Sequence, residues 1–284
     1  MQAKKSKSNR ISMIAGALLG TMLALLFTSF AHAQTSEEFH QTYPLAANGT
    51  FVIHNINGFV HITGWERNEV KVDAVKRGES KQKLDDARIE VDASSDRVSI
   101  RTQYPQHDSW FRSYDNPASV DYTISVPRAV RLEAGLVNGP LELSGVNGEV
   151  RASAVNASMS IKGLGSEAEL STVNSRLEAQ FDRLPNSGHI TAKSVNGGVA
   201  VSIPSDANVE VEASTLNGGI HNDFNLPVQN GRPVGHKMEG KIGNGGPEIT
   251  MHNVNGRVEL RHNNDGKPLS TATSTLPPDR GRFE

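Results

Sequence analysis

Two pairs of neighbouring carboxylates, Asp85/Asp86 and Glu167/Glu169, are where this 284-residue chain comes nearest to hydrolytic chemistry. Cleaving a glycosidic bond takes two carboxyl groups facing each other across the sugar. Nothing around either pair marks it as buried, and charge on the outer face of a strand is the ordinary reading. The histidines His40, His54, His61, His107, His189, His221, His236, His252 and His262 stand singly, outside any His-x-His or His-Glu-x-x-His pattern. A metal site therefore has little support, although folding could bring His252 and His262 together. The run GNGGPEI over 243–249 lacks the aspartate that a Ca²⁺-binding nonapeptide would use. No Gly-x-Ser-x-Gly elbow and no phosphate loop occurs, and the absence of cysteine excludes thiolate chemistry and disulfides. No catalytic residue, metal or cofactor is expected.

The formal charge of −2 argues against nucleic acid as a partner and gives no electrostatic reason to seek anionic lipid. The start of the chain points out of the cytoplasm. Lys4, Lys5, Lys7 and Arg10 precede an uncharged apolar run from Ile11 to Phe30, and Ala31-His32-Ala33 offers a cleavage site before Gln34. Residues 1–33 read as a signal peptide. The alternative is an inner-membrane anchor over residues 11–30, since twenty apolar residues can span a bilayer. Membrane contact is expected only if that segment is retained. The expected location is the periplasm or cell surface.

What would position any site is a recurring motif: an apolar residue, an asparagine and a small residue. Val137-Asn138-Gly139, Val146-Asn147-Gly148 and Val155-Asn156-Ala157 fall nine residues apart. Further copies centre on Asn57, Asn174, Asn196, Asn217 and Asn255, with a variant at Asn244. From Asn138 through Asn156, Asn174 and Asn196 to Asn217 the steps are 18, 18, 22 and 21. A period near twenty signals stacked repeats. Asn-Gly also suits an antiparallel hairpin meander or sandwich, which is the alternative fold. Ala157 and Ser175 fit a type I′ hairpin poorly, because both central positions need φ > 0. Corner asparagines in a coil could instead stack about 4.8 Å apart and satisfy one another.

Parity adds a detail. Leu141 and Leu143 share a face, whereas Val146 has the opposite parity; the same slip isolates Val155 and Val173. A bend before each valine would let both sets point inward. Larger units recur as well: Pro44 and Pro204 each precede a motif asparagine by thirteen residues, and a shorter version begins at Pro127. Similar local structure is expected at the three places.

These features place a β-solenoid over residues 43–261, preceded by a linker over 34–42. Residues 59–125 form a less regular capping part, with a short helix or charged loop over 79–87. Residues 262–284 read as a flexible tail. Two segments interrupt the pattern. The first, 103–119, holds Trp110, Phe111 and Tyr114 beside Arg112, either as a binding platform or as an aromatic lid. The second, 225–242, carries Arg232, His236, Lys237 and Lys241, either as a basic binding loop or as a solvated excursion.

The exported start, the prolines followed by alternating apolar residues, and the apolar-Asn-Gly corners together resemble the DUF4097 family of proposed bacterial adhesins. The carrying residues are VPRAVRLEAGLVNG over 126–139, VNGEV over 146–150, VNGGVAV over 195–201 and IPSDANVEVEASTLNGGI over 203–220. The resemblance covers about residues 43–260 and implies an all-β, single-chain, right-handed parallel β-helix. It carries over no catalytic residue. The expected function is a non-enzymatic exported envelope protein, an adhesin-like binding or scaffold module for an envelope glycan or protein. The alternatives are a polysaccharide lyase or hydrolase on the same scaffold, and a membrane-anchored envelope sensor.

Overall fold

The computed structural model of the chain describes residues 35–105, 117–231 and 234–276. The expected signal or anchor lies outside them. Two sheets of short strands face each other across one apolar core. A coil is a strand of one sheet, a corner, and a strand of the other.

The strands pair into coils as β2 (Thr50–Asn57) with β3 (Val60–Trp65), and β6 (Arg97–Gln103) with β7 (Ser119–Pro127). Next come β8 (Arg131–Asn138) with β9 (Leu141–Ser144), and β10 (Val150–Asn156) with β11 (Met159–Leu164). Then follow β12 (Ala168–Asn174) with β13 (Leu177–Phe181), and β14 (His189–Asn196) with β15 (Val199–Ile203). The last two coils are β16 (Val209–Asn217) with β17 (Ile220–Asn222), and β20 (Glu248–Asn255) with β21 (Val258–His262). Flanking elements are β1 (Thr35–Pro44), β4 (Glu69–Gly78), helix α1 (Lys81–Asp86) and β5 (Arg88–Ala93). At the other end lie β18 (Gln229–Asn230), β19 (His236–Ile242) and β22 (Ala272–Ser274).

Alternation decides what each coil buries. In β10, Val150, Ala152 and Ala154 are buried while Arg151, Ser153 and Val155 face out. Many inward positions carry alanine, including Ala134, Ala168, Ala179, Ala192 and Ala213, which lets the sheets close over leucines and isoleucines from neighbouring positions. Coil strands pair in parallel, as in β10 with β8 and β12, and β11 with β9 and β13. Antiparallel pairs occur at the ends: β1 with β4, β4 with β7, β5 with β6, and β19 with β16, β18 and β22. The fold is therefore all-β with mixed sheets, so the meander alternative describes only the two ends.

The coils do not stack in chain order. One sheet runs β5-β6-β2-β8-β10-β12-β14-β20-β16-β19-β18, the other β1-β4-β7-β3-β9-β11-β13-β15-β21-β17. The N-terminal coil, β2/β3, sits inside β6/β7. The C-terminal coil, β20/β21, is wedged between β14/β15 and β16/β17. A plain solenoid frays from its terminal coils because each has a neighbour on one side only. Here both terminal coils are inner layers.

Four expectations need correction. The stretch 34–42 is no linker, since β1 pairs along β4 from Thr35 to Pro44. Residues 59–125 are only partly a cap: β3 and β7 are coil strands, and β4, α1 and β5 do the capping. The expected tail from 262 is fastened as far as the description reaches: Asn263 donates from its backbone to Ile203, Ser270 to Ser205, and β22 pairs with β19. The insertion 225–242 is largely an antiparallel cap, its β19 covering β16. Of the three proline units, Pro127 and Pro204 each open the same turn, with Val130 N–H donating to Pro127 and Ala207 N–H to Pro204. The third turns later, from Gly49 N–H to Ala46.

The edge strand β1 is charged, as an exposed edge must be to resist pairing with other chains. His40 bonds Asp73 at 2.7 Å and Glu38 at 3.2 Å. Those two carboxylates, Asp73 first, hold the imidazole pKa above its ordinary 6.5. The stabilisation is present below that ordinary value and is lost as pH rises through the raised one. Hydrogen-exchange protection of β1 amides should therefore fall as pH rises from about 6.5, and His40→Gln should flatten the dependence. Protection that grows across this interval would show that the pair contributes nothing.

Candidate functional site

The corners where β2, β8, β10, β12, β14, β20 and β16 hand over to the opposite sheet form one ridge. Along it the side-chain amides stack. Asn138 donates to Asn57, Asn156 to Asn138, Asn174 to Asn156, Asn196 to Asn174, Asn255 to Asn196 and Asn217 to Asn255, all at 2.8–3.0 Å. Every bond points the same way, so the amide dipoles add. The column was legible as a set of residues, but it sits on the outer surface. Two asparagines stand apart: Asn147 lies in a loop whose backbone N–H meets Arg128, and Asn244 in a turn whose backbone N–H meets the Asn208 side chain.

Beside the column runs an aliphatic row: Ile56, Val137, Val155, Val173, Val195, Val254 and Leu216. Each is between 37% and 48% exposed. This corrects the expectation that Val155 and Val173 turn inward; only Val146 does. The strand continues one residue further before cornering, so alternation carries these side chains out. β-Branched residues shield one another across adjacent strands.

A second row, one position inward, was missed. Thr172 donates to the Ala157 carbonyl, Ser194 to Ser175, Asn253 to Gly197 and Thr215 to Gly256. Asn55 donates to Val120 at 2.9 Å and to Gly58 and Asn57 at 3.3 Å. Each corner carbonyl so engaged gains a donor, and the donating side chains, which are buried, gain the acceptor that an apolar interior demands. The signal was present as Asn55-Ile56-Asn57 and Asn253-Val254-Asn255, an asparagine two before the ladder asparagine in the two wedged coils.

Asn156→Ala removes two amide bonds from the middle of the ladder; Asn217→Ala, at its end, removes one. Exposed positions keep the cost near the low end of about 0.5–1.5 kcal/mol per bond. Denaturant unfolding should show Asn156→Ala costing about twice as much as Asn217→Ala. Equal, negligible losses would mean that water replaces the ladder at no cost.

The opposite edge, where sheet strands return through loops, holds a shallow cleft. One part, about 710 Å³, is bounded by Gln180, Asp182, Ser202, Arg261, Asn264 and Lys267. The other, about 310 Å³, shares Asp182 and Lys267 and adds Arg183, Leu184, Pro185 and Pro204. The segment after β21 forms its wall. Asp265 accepts from Ser205 N–H and Lys267 N–H, and the Ser205 bonds hold its carboxyl down to about 2. Lys267 pairs with Asp206 at 2.9 Å, and Asn263 donates to the Phe181 carbonyl. Ser205 Oγ lies 3.0 Å from His262 Nδ1, a spacing that could suggest a nucleophile and its base. Yet Ser205 is buried and its hydroxyl donates to the Asn263 carbonyl at 2.7 Å, so it acts as a staple.

The sequence-selected partner residues fare unevenly. Trp110, Phe111, Arg112, Tyr114 and Arg232 lie outside the described residues. His236 and Lys237 belong to strand β19, which corrects their assignment to a loop. Lys237 is bonded to Glu239 and Glu212, and Lys241 to Glu210, so the basic character is neutralised locally. His252 bonds Ser214 and His262 bonds Ser205, each engaged separately. Asp85 pairs with Lys81 on α1.

A family model described as Toastrack DUF4097 matches residues 56–261. Among solved structures, a Clostridium sporogenes protein named for a proposed role in cell adhesion is 14% identical, with 81% of this chain and 100% of that one covered and a TM-score of 0.45. A proposed adhesin of Bacteroides fragilis is 11% identical over 80% and 97% of the two chains, with a TM-score of 0.27. One of Parabacteroides distasonis is 11% identical over 81% and 97%, with a TM-score of 0.25. No curated protein matches.

Proposed function

The chain belongs to the Toastrack DUF4097 family, and from that premise we propose that it is a non-enzymatic, adhesin-like binding or scaffold module of the cell envelope. In this reading residues 1–33 are removed on export, and the winding is right-handed, the hand that parallel crossover connections take. The partner is an envelope glycan or protein. The observation that carries the proposal is the locked stack: both terminal coils wedged inside, and an amide column along one ridge. Such a body presents fixed rows of side chains over its whole length, as a recognition surface requires. A fold alone does not assign function, so the test is direct. The protein purified from the envelope should begin at Gln34 by mass, and immobilised it should retain a component of envelope extract. Retention of nothing would remove the binding role; an intact Met1 start would favour the anchored form.

A further inference from the structure

We propose that the cleft at the loop edge binds a short, neutral, polyhydroxylated segment of a glycan, with Asp182 and Arg183 as its principal contacts. This rests on the reading of the protein as a binding module and names the site and ligand class.

Three features of the cleft lead there. The first is what its polar groups already do. Asp206 and Lys267 neutralise each other, Asp265 is occupied by two backbone N–H groups, and Arg261 is turned to Glu259. Among the described residues, neither the Asp182 nor the Arg183 side chain has an ion pair or hydrogen bond. Their backbone N–H groups are both directed to the Leu164 carbonyl, which fixes the pair at the end of β13. The Arg183 side chain lies over Gly165, where a Cβ would come within 2.7 Å of its Nε. That glycine gives the guanidinium a seat.

The second feature is charge. Three carboxylates (Asp182, Asp206, Asp265) face three cations (Arg183, Arg261, Lys267) around the two hollows. A balanced set exerts no net pull on an ionic ligand. It does offer alternating acceptors and donors: carboxylate oxygens, guanidinium N–H groups, and the amides of Gln180 and Asn264 with both. Vicinal hydroxyls, each a donor and an acceptor, suit that alternation.

The third feature is the apolar component. Leu184, Pro185, Pro204, Ala207 and Pro247 line the smaller hollow. They provide the patch against which the C–H face of a sugar ring packs, while polar neighbours fix its orientation. An extended peptide would need a free strand edge for its backbone; this cleft lies between loops at a corner. Each part, about 310 and 710 Å³, falls within the usual range of about 300–1,000 Å³ for small-ligand sites and suits a ligand of a few rings.

The test uses the mature full-length chain and isothermal titration. The neutral probes are β-1,4-linked N-acetylglucosamine trisaccharide, cellotriose and maltotriose. The comparison probes are trigalacturonate, inorganic phosphate and an end-blocked trialanine. Saturable binding of at least one neutral trisaccharide is expected, weakened tenfold or more in Asp182→Ala/Arg183→Ala and in Asn264→Ala. Lys193→Ala, on the outer face of β14, should leave it unchanged. Both cleft side chains of the double variant are exposed, so its thermal unfolding should match the parent. The proposal is overturned if no neutral trisaccharide binds at millimolar concentration, if a comparison probe binds tenfold better, or if the double variant binds unchanged. Retention of envelope material by parent and double variant alike would overturn the cleft while leaving the binding-module reading standing. Absence of both retention and trisaccharide binding would overturn the two together.

Discussion

A chain shortened to end at Pro247 should lose its cooperative fold, although a solenoid trimmed of its last coil ordinarily survives. The removed residues include β20 and β21, the wedge between two other coils. Four of their side chains, Ile249, Met251, Val258 and Leu260, are completely buried. At about 1.5–3 kcal/mol for each fully buried aliphatic side chain, their loss is about 6–12 kcal/mol. The whole stability of a domain is about 5–15 kcal/mol. The cut also exposes the ladder edges of β14 and β16 at once, because β20 pairs with both. Circular dichroism should show no unfolding transition near the parent's. A synthetic peptide of residues 248–262 should restore one by filling the slot. A shortened chain with the parent's transition and full amide protection in β14 and β16 would show that those strands rejoin directly and that the wedge is dispensable.

The wedge is the part of the fold that the sequence concealed, for a definite reason. Asn57, Asn138, Asn156, Asn174, Asn196, Asn217 and Asn255 are chemically alike, and each could stack on any other. Their type and spacing announce a column but do not say which is whose neighbour. Order is set by where connections can reach, and by the capping strands that close each end. The outward valines were misread for a related reason. Parity was judged against a bend placed before the motif, whereas the strands run through to the asparagine, as β10 does to Asn156. The cleft left no pattern at all. Asp182 and Arg183 are an ordinary charged pair until the segment after β21, which resembles a tail in composition, is fastened across the return loops by Asn263, Asp265 and Lys267.

Gly139→Ala, a single added methyl on the ridge, should cost about 3 kcal/mol or more. Two independent effects combine. Gly139 has φ +119°, a backbone conformation that side-chain-bearing residues rarely adopt. Its added Cβ would also sit 2.3 Å from the Gly58 carbonyl oxygen on the next coil. A carbonyl cannot swing aside as a flexible side chain can, because the same Gly58 oxygen accepts from the buried Asn55 amide. Moving it breaks that bond of the inner row, which adds about 0.5–1.5 kcal/mol. The neighbouring coil supplies an internal comparison. Ala157 occupies the equivalent place after Asn156, buried and outside the positive-φ set, so that corner has a different backbone conformation that accommodates a methyl. Gly219 supplies a second, since nothing lies within 4 Å of its Cβ position; Gly219→Ala should change stability by no more than about 0.5 kcal/mol. Denaturant midpoints of the two variants therefore separate a corner glycine required by its neighbours from one merely present. If Gly139→Ala unfolds with Gly219→Ala and the parent, the corners are slack, and the rigid ridge on which the recognition surface depends is absent.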